Sequence, residues 1–211
     1  MHVALLGDST LDNGAYTAGG PSVIEYLNRK LPDGDKATLL AADGATTRDI
    51  EFQIDQIPLG VTHIVLSVGG NDALNEISVL ENEVESVEEA LALLSKTVRR
   101  FKRTYLGCVN LILETGLPTT ACTIYNGAFD EPSGQQKIID AALSLWNNTI
   151  LEVALRRELP IVDLRRVCTS RDDFTRQIEP NEQGGRKIAT ALQQALTNQD
   201  SFSVPIGPAG H

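Results

Sequence analysis

Short apolar runs alternate along this chain with longer stretches in which apolar residues recur every three or four positions. His2-Val3-Ala4-Leu5-Leu6 is an apolar run bounded by Gly7, the signature of a buried strand. Similar runs occupy residues 37–42, 62–68, 117–124 and 159–164. Between them, Val23, Ile24, Leu27 and Leu31 share one helical face, opened by Pro21 and closed by Pro32 and Gly34. A second helix ends near Ile57-Pro58. Ser86-Val87-Glu88-Glu89 has capping-box spacing, and Val87, Ala90, Leu91, Leu94, Val98, Phe101 and Tyr105 form the stripe of a long helix. Another long helix turns Ile139, Ala142, Leu143, Trp146, Ile150 and Val153 inward, and a last one carries Ile188, Leu192 and Leu196. A charged loop, residues 165–177, precedes that last helix.

Strands alternating with helices throughout predict a parallel five-stranded sheet covered on both faces, an α/β fold in three layers, α/β/α. With neither an internal repeat nor a linker, residues 1–197 read as one domain and residues 198–211 as a mobile tail. Right-handed crossovers bring the loops after the first three strands to one rim, where open α/β sheets hold their ligands. Those loops carry Asp8 and Ser9, then Gly44, then Gly69-Gly70-Asn71-Asp72.

Composition narrows the partners. The formal charge of −10 argues against nucleic acid and against anionic membrane surfaces, and fits a small, neutral or modestly polar ligand. No run of eighteen apolar residues occurs, so membrane insertion is not expected. The first strand follows Met1 directly with neither a basic stretch nor an apolar leader, which makes the cytoplasm the expected location. Cys108, Cys122 and Cys168 lack metal-ligand spacing and read as buried free thiols, although Cys122 and Cys168 end neighbouring strands. Neither a metal nor a cofactor is implied. The acidic loop after the first strand suits a flavin phosphate poorly.

Acyl transfer needs a nucleophile and donors aimed at the developing oxyanion. Ser9, just beyond a strand end, can be the nucleophile. The Ser9 and Gly44 amides can be two donors and the Asn71 side chain a third. Each has a plainer reading alone: a turn serine, a loop glycine, a turn former, and for Asp72 a helix cap. Their joint placement after consecutive strands argues against coincidence.

Gly7-Asp8-Ser9 near the amino end, Gly44 after the second strand and Gly69-x-Asn71-Asp72 after the third resemble the SGNH hydrolase superfamily, the GDSL lipases and esterases. The resemblance runs to the last helix. It implies a flavodoxin-like strand order 2-1-3-4-5, Ser9 as nucleophile, and an oxyanion hole of Ser9, Gly44 and Asn71, in a hydrolase acting on a small-molecule ester. The fourth block departs from the family. Where Asp-x-x-His is usual, this chain has Arg176-Gln177-Ile178-Glu179, followed by Pro180-Asn181.

No other histidine substitutes readily. His2 and His63 open strands at the far rim, His2 about 23 Å from Ser9 along an extended chain, and His211 ends the tail. Two readings follow. In one, Glu179 is the general base, its pKa lifted by burial and opposed by Arg176 nearby. In the other, Glu179 is an acid at a helix amino end and the domain is an inactive binding or regulatory module, with Arg176 gripping an anion. Asp172 and Asp173 are reserve candidates for orienting or replacing the base. Specificity is expected from the loops at residues 12–20, 73–85 and 125–135.

Overall fold

The computed structural model describes residues 1–129 and 134–197. The expected tail at 198–211, His211 and the middle of the loop at 125–135 lie outside the described residues. Five parallel strands form one sheet in the order β2-β1-β3-β4-β5: β1 (His2–Gly7), β2 (Lys36–Leu39), β3 (His63–Ser67), β4 (Thr119–Cys122) and β5 (Ile161–Val162). Leu5 of β1 stands between Leu39 and Val65 in register, and Val65 beside Thr120. The order is the one the resemblance implied.

All six residues of β1 are buried, because the sheet is covered on both faces. The period-two alternation of a strand divides its side chains between two cores. Val3, Leu5 and Val65 pack with α1 (Val23–Lys30) and α6 (Glu182–Thr197), through Leu27, Ile188 and Leu192. Ala4, Leu6, Ile64 and Leu66 pack on the other face with α2 (Ile50–Ile54), α4 (Val87–Glu114) and α5 (Gln135–Arg156), through Ile50, Phe101, Tyr105 and Ile150. Between β3 and α4 lie a short α3 (Gly70–Leu74) and a 3-10 turn, Ile77–Glu81. All three cysteines are free and buried.

The structure corrects the expected elements in three places. The second strand ends at Leu39 rather than at 42, because the Leu40 and Ala41 amides both donate to the Leu5 carbonyl, at 2.9 and 2.8 Å, and the chain peels away from the sheet. The charged loop runs into a two-stranded hairpin, β6 (Phe174–Thr175) antiparallel to β7 (Glu179–Pro180). Finally, Val87 and Leu91 do not join the core. They are 77% and 59% exposed. Helix α4 has 28 residues, about 42 Å, while β1, the longest strand, has six, about 20 Å. Its first turns therefore extend past the sheet rim, where no strand lies beneath them. Helix α5 is long and apolar enough by composition to cross a bilayer, but Trp146, Ile150 and Val153 pack into the core.

Candidate active site

Ser9 sits in a sharp turn made possible by Gly7. Gly7 has φ of +143°, and a Cβ there would lie 1.8 Å from the Ser67 carbonyl oxygen. The Gln53 side chain holds both polar groups of Gly7, accepting from its amide at 2.7 Å and donating to its carbonyl at 2.8 Å. The chain then turns back on itself, with the Leu11 and Asp12 amides donating to the Asp8 carbonyl. Ser9 is left at the mouth of a cleft beyond the carboxyl end of β1.

The second and third loops are locked together beside it. Both oxygens of the Asp72 carboxylate accept from Thr47, one from its amide at 3.0 Å and one from its hydroxyl at 2.7 Å. Asn71 Nδ2 donates to the Ala45 carbonyl at 2.9 Å, which commits one of its two N–H bonds and leaves the other. Gly44, next to Ala45, takes the left-handed φ of +80°. Asp72 thus braces the loop that carries Gly44, a more specific placement than the helix cap its position suggests.

Glu179 opens β7 and faces Ser9. The Ser9 hydroxyl lies close enough to favour the ionised carboxylate by hydrogen bonding, yet the pair falls short of full hydrogen-bond geometry, and Oε2 of Glu179 is buried without a partner. Burial is the largest influence and, with the nearby Asp43 charge, it raises the Glu179 pKa against the pull of Ser9 and Arg176. Arg176 is exposed, in the left-handed conformation at φ +59°, and acts on Glu179 through space; no ion pair joins them.

The other acids divide. Asp8 is buried, and burial pushes its pKa up to about 6, opposed by the Thr10 amide that donates to it and reinforced by Asp72 and Glu179. Asp173 is wholly buried and committed elsewhere: it accepts from the Thr169 and Ser170 amides and from Gln183, and it pairs with Lys187 at 2.7 Å. Asp172 is exposed, and its carbonyl accepts from Asn181. The structure therefore brings Glu179, not Asp172 or Asp173, to Ser9. His2 bonds the Thr38 hydroxyl and His63 the Thr62 hydroxyl, both at the starts of their strands. Among the described residues no His, Cys, Asp and Glu cluster could hold a metal ion.

Two side chains that the sequence did not single out hold the hairpin in place. Asn13 Nδ2 donates to the Pro180 carbonyl at 3.1 Å, and the Tyr125 hydroxyl donates to the Ile178 carbonyl at 2.6 Å. Asparagine and tyrosine in loops carry no local signal of partners more than fifty residues away.

The family profile described as GDSL-like lipase/acylhydrolase matches residues 5–187. No curated protein matches the sequence. Among solved structures, an extracellular lipase from Streptomyces rimosus superposes with a TM-score of 0.69 at 15% identity, over 92% of this chain and 99% of that one. The acetyl xylan esterase AlAXEase gives 0.67 at 18% identity, over 93% and 100%. The acetylxylan esterase Axe2 of Geobacillus stearothermophilus gives 0.64 at 15%, over 92% and 93%. Two further structures of Axe2 are described as catalytic mutants, with alanine at a serine in one and at a histidine in the other. At these identities the superpositions establish a shared fold.

Proposed function

The chain belongs to the GDSL-like lipase/acylhydrolase family, and from that premise we propose that it cleaves a small ester or thioester through an acyl-Ser9 intermediate, with Glu179 as general base. The observation that carries this reading is the Glu179 carboxyl facing the Ser9 hydroxyl where the family's usual histidine is missing. A half-buried carboxyl with a raised pKa is a better proton acceptor than a free glutamate. A loose pairing in the unliganded site is compatible with that role, since such contacts tighten when substrate binds.

Ser9 Oγ attacks the carbonyl carbon while Glu179 takes the hydroxyl proton. The oxyanion of the tetrahedral intermediate accepts from the Ser9 and Gly44 amides and from the uncommitted N–H of Asn71. The C–O or C–S bond to the leaving group breaks, and protonated Glu179 returns its proton to that group. Water then attacks the acyl-serine, Glu179 takes its proton, and the acid leaves as Ser9 regains its hydrogen.

The test is a pH series of p-nitrophenyl ester hydrolysis with wild type, Ser9→Ala and Glu179→Gln, beside labelling by a fluorophosphonate. Expected are covalent label on Ser9, loss of turnover in Ser9→Ala, and a fall of about 10²–10⁴ in kcat in Glu179→Gln. Wild-type turnover equal to that of Ser9→Ala at every pH would overturn the proposal and favour a binding module.

A further inference from the structure

The long helices and α3 leave an apolar cleft beside Ser9. Leu94 of α4 and the first half of α5, with α3 and the turn Ile77–Glu81, enclose a cleft of about 80 Å³ that opens to solvent. Asp8, Ser9 and Asn71 stand at its mouth. Its walls are Leu74, Ile77, Leu80, Leu94, Leu143 and Trp146, with further aliphatic residues between them. Of the polar residues on the wall, Glu76 is neutralised by Arg100 at 2.7 Å and Tyr125 spends its hydroxyl on the Ile178 carbonyl, which leaves Asn126 and the buried, unpartnered indole N–H of Trp146 as its polar groups. A sugar or peptide leaves most of its hydroxyls and amides unpaired on such walls, at a desolvation cost. A hydrocarbon chain does not.

We propose that this cleft is the acyl site, and that it selects unbranched aliphatic acyl groups longer than butanoyl over acetyl. The inference rests on the acyl-Ser9 reading above and adds the substrate class to it. An acyl chain whose carbonyl carbon meets Ser9 and whose oxygen lies toward Asn71 runs into the cleft. The leaving group then lies on the open side, toward Glu179 and the exposed Arg176. Each methylene buried on the way strengthens binding roughly threefold to fourfold. The exposed edges of Ile77 and Leu80, 38% and 36% accessible, form an apolar lip at the entrance.

Trp146 is the single tryptophan of the chain and lines the cleft, so its fluorescence reads occupancy without turnover. Two experiments on the full chain test the proposal. The first measures kcat/KM for p-nitrophenyl acetate, butanoate, hexanoate, octanoate and decanoate, with wild type and Ala142→Phe, whose new ring would fill the cleft beside Leu143. The second titrates Ser9→Ala with acetate, hexanoate and decanoate, below micellar concentrations, while following Trp146 emission.

Expected are a kcat/KM that climbs from acetate to beyond butanoate, an optimum moved to shorter chains in Ala142→Phe, and saturable emission changes for hexanoate and decanoate but not acetate. Turnover that is flat or falling beyond acetate, with no emission change, would overturn the acyl cleft while leaving the serine hydrolase standing. Chain-length-dependent emission without turnover in wild type would support the cleft and overturn the catalytic reading.

Discussion

Asn13 Nδ2 donates to the Pro180 carbonyl at 3.1 Å, and through that bond the loop that carries Ser9 is joined to the strand that carries Glu179. The same side chain accepts from the Val23 amide at 2.8 Å and is completely buried. Asn13→Ala would leave two buried backbone groups without partners. The expected loss is about 2–4 kcal/mol of stability in urea unfolding. A simple loss of stability would leave the remaining folded enzyme normal. A positioning role predicts that kcat, corrected for folded fraction, falls more than KM changes, because the base is displaced from the serine.

Arg176 favours the ionised form of Glu179 through space. A general base works when ionised, so activity should rise with pH through the raised pKa of Glu179 and hold level above it. Arg176→Gln removes the cation, lifts that pKa further and should move the acid limb of kcat/KM to higher pH. Arg176→Gly makes the same change of charge and also relieves the left-handed backbone at φ +59°, which should add up to about 1 kcal/mol of stability. Equal kinetic shifts in the two variants would assign the effect to charge; a shift in neither would remove Arg176 from the site's electrostatics.

Asp8 has a folded-state pKa of about 6, raised chiefly by burial from an ordinary 3.8. Its ionised form is disfavoured in the folded protein, so the folded state binds more protons than the unfolded one between those values. The stability associated with protonated Asp8 is full below the ordinary pKa and is lost as pH rises to about 6, a difference of about 3 kcal/mol. Asp8→Asn retains an acceptor for the Thr10 amide. It should raise Tm at pH 7 and change it little at pH 4. An equal Tm shift at both pH values would show that Asp8 is not the titrating group.

Gly7 has no room for a side chain. A Cβ would meet the Ser67 carbonyl oxygen at 1.8 Å, from a φ of +143° that other residues rarely adopt. Gly7→Ala should cost at least about 3 kcal/mol and displace the Ser9 turn. Circular dichroism on thermal unfolding checks this, with Gly14→Ala as the comparison, since nothing lies within 4 Å of the Cβ site at Gly14.

The layers and the rim were legible in the local pattern of the chain. Apolar runs at period two and stripes at period 3.6 are local signals, and alternation of strand and helix permits few topologies. The loops after the first three strands could therefore be assigned to one edge of the sheet, with Ser9, Gly44 and Asn71 among them. What no local pattern contains is how far two elements overhang or which distant backbone group a loop side chain meets. Val87 and Leu91 have the spacing of core residues, and only the difference in length between α4 and the strands leaves them exposed. Asn13 meets Pro180 across 167 positions of chain, and Asp173 spends its charge on Lys187 rather than near Ser9. The approach of Glu179 to Ser9 belongs to the same class. Its residue type was legible, but its burial, and so its raised pKa, is set by the tertiary packing of a short hairpin against the first loop.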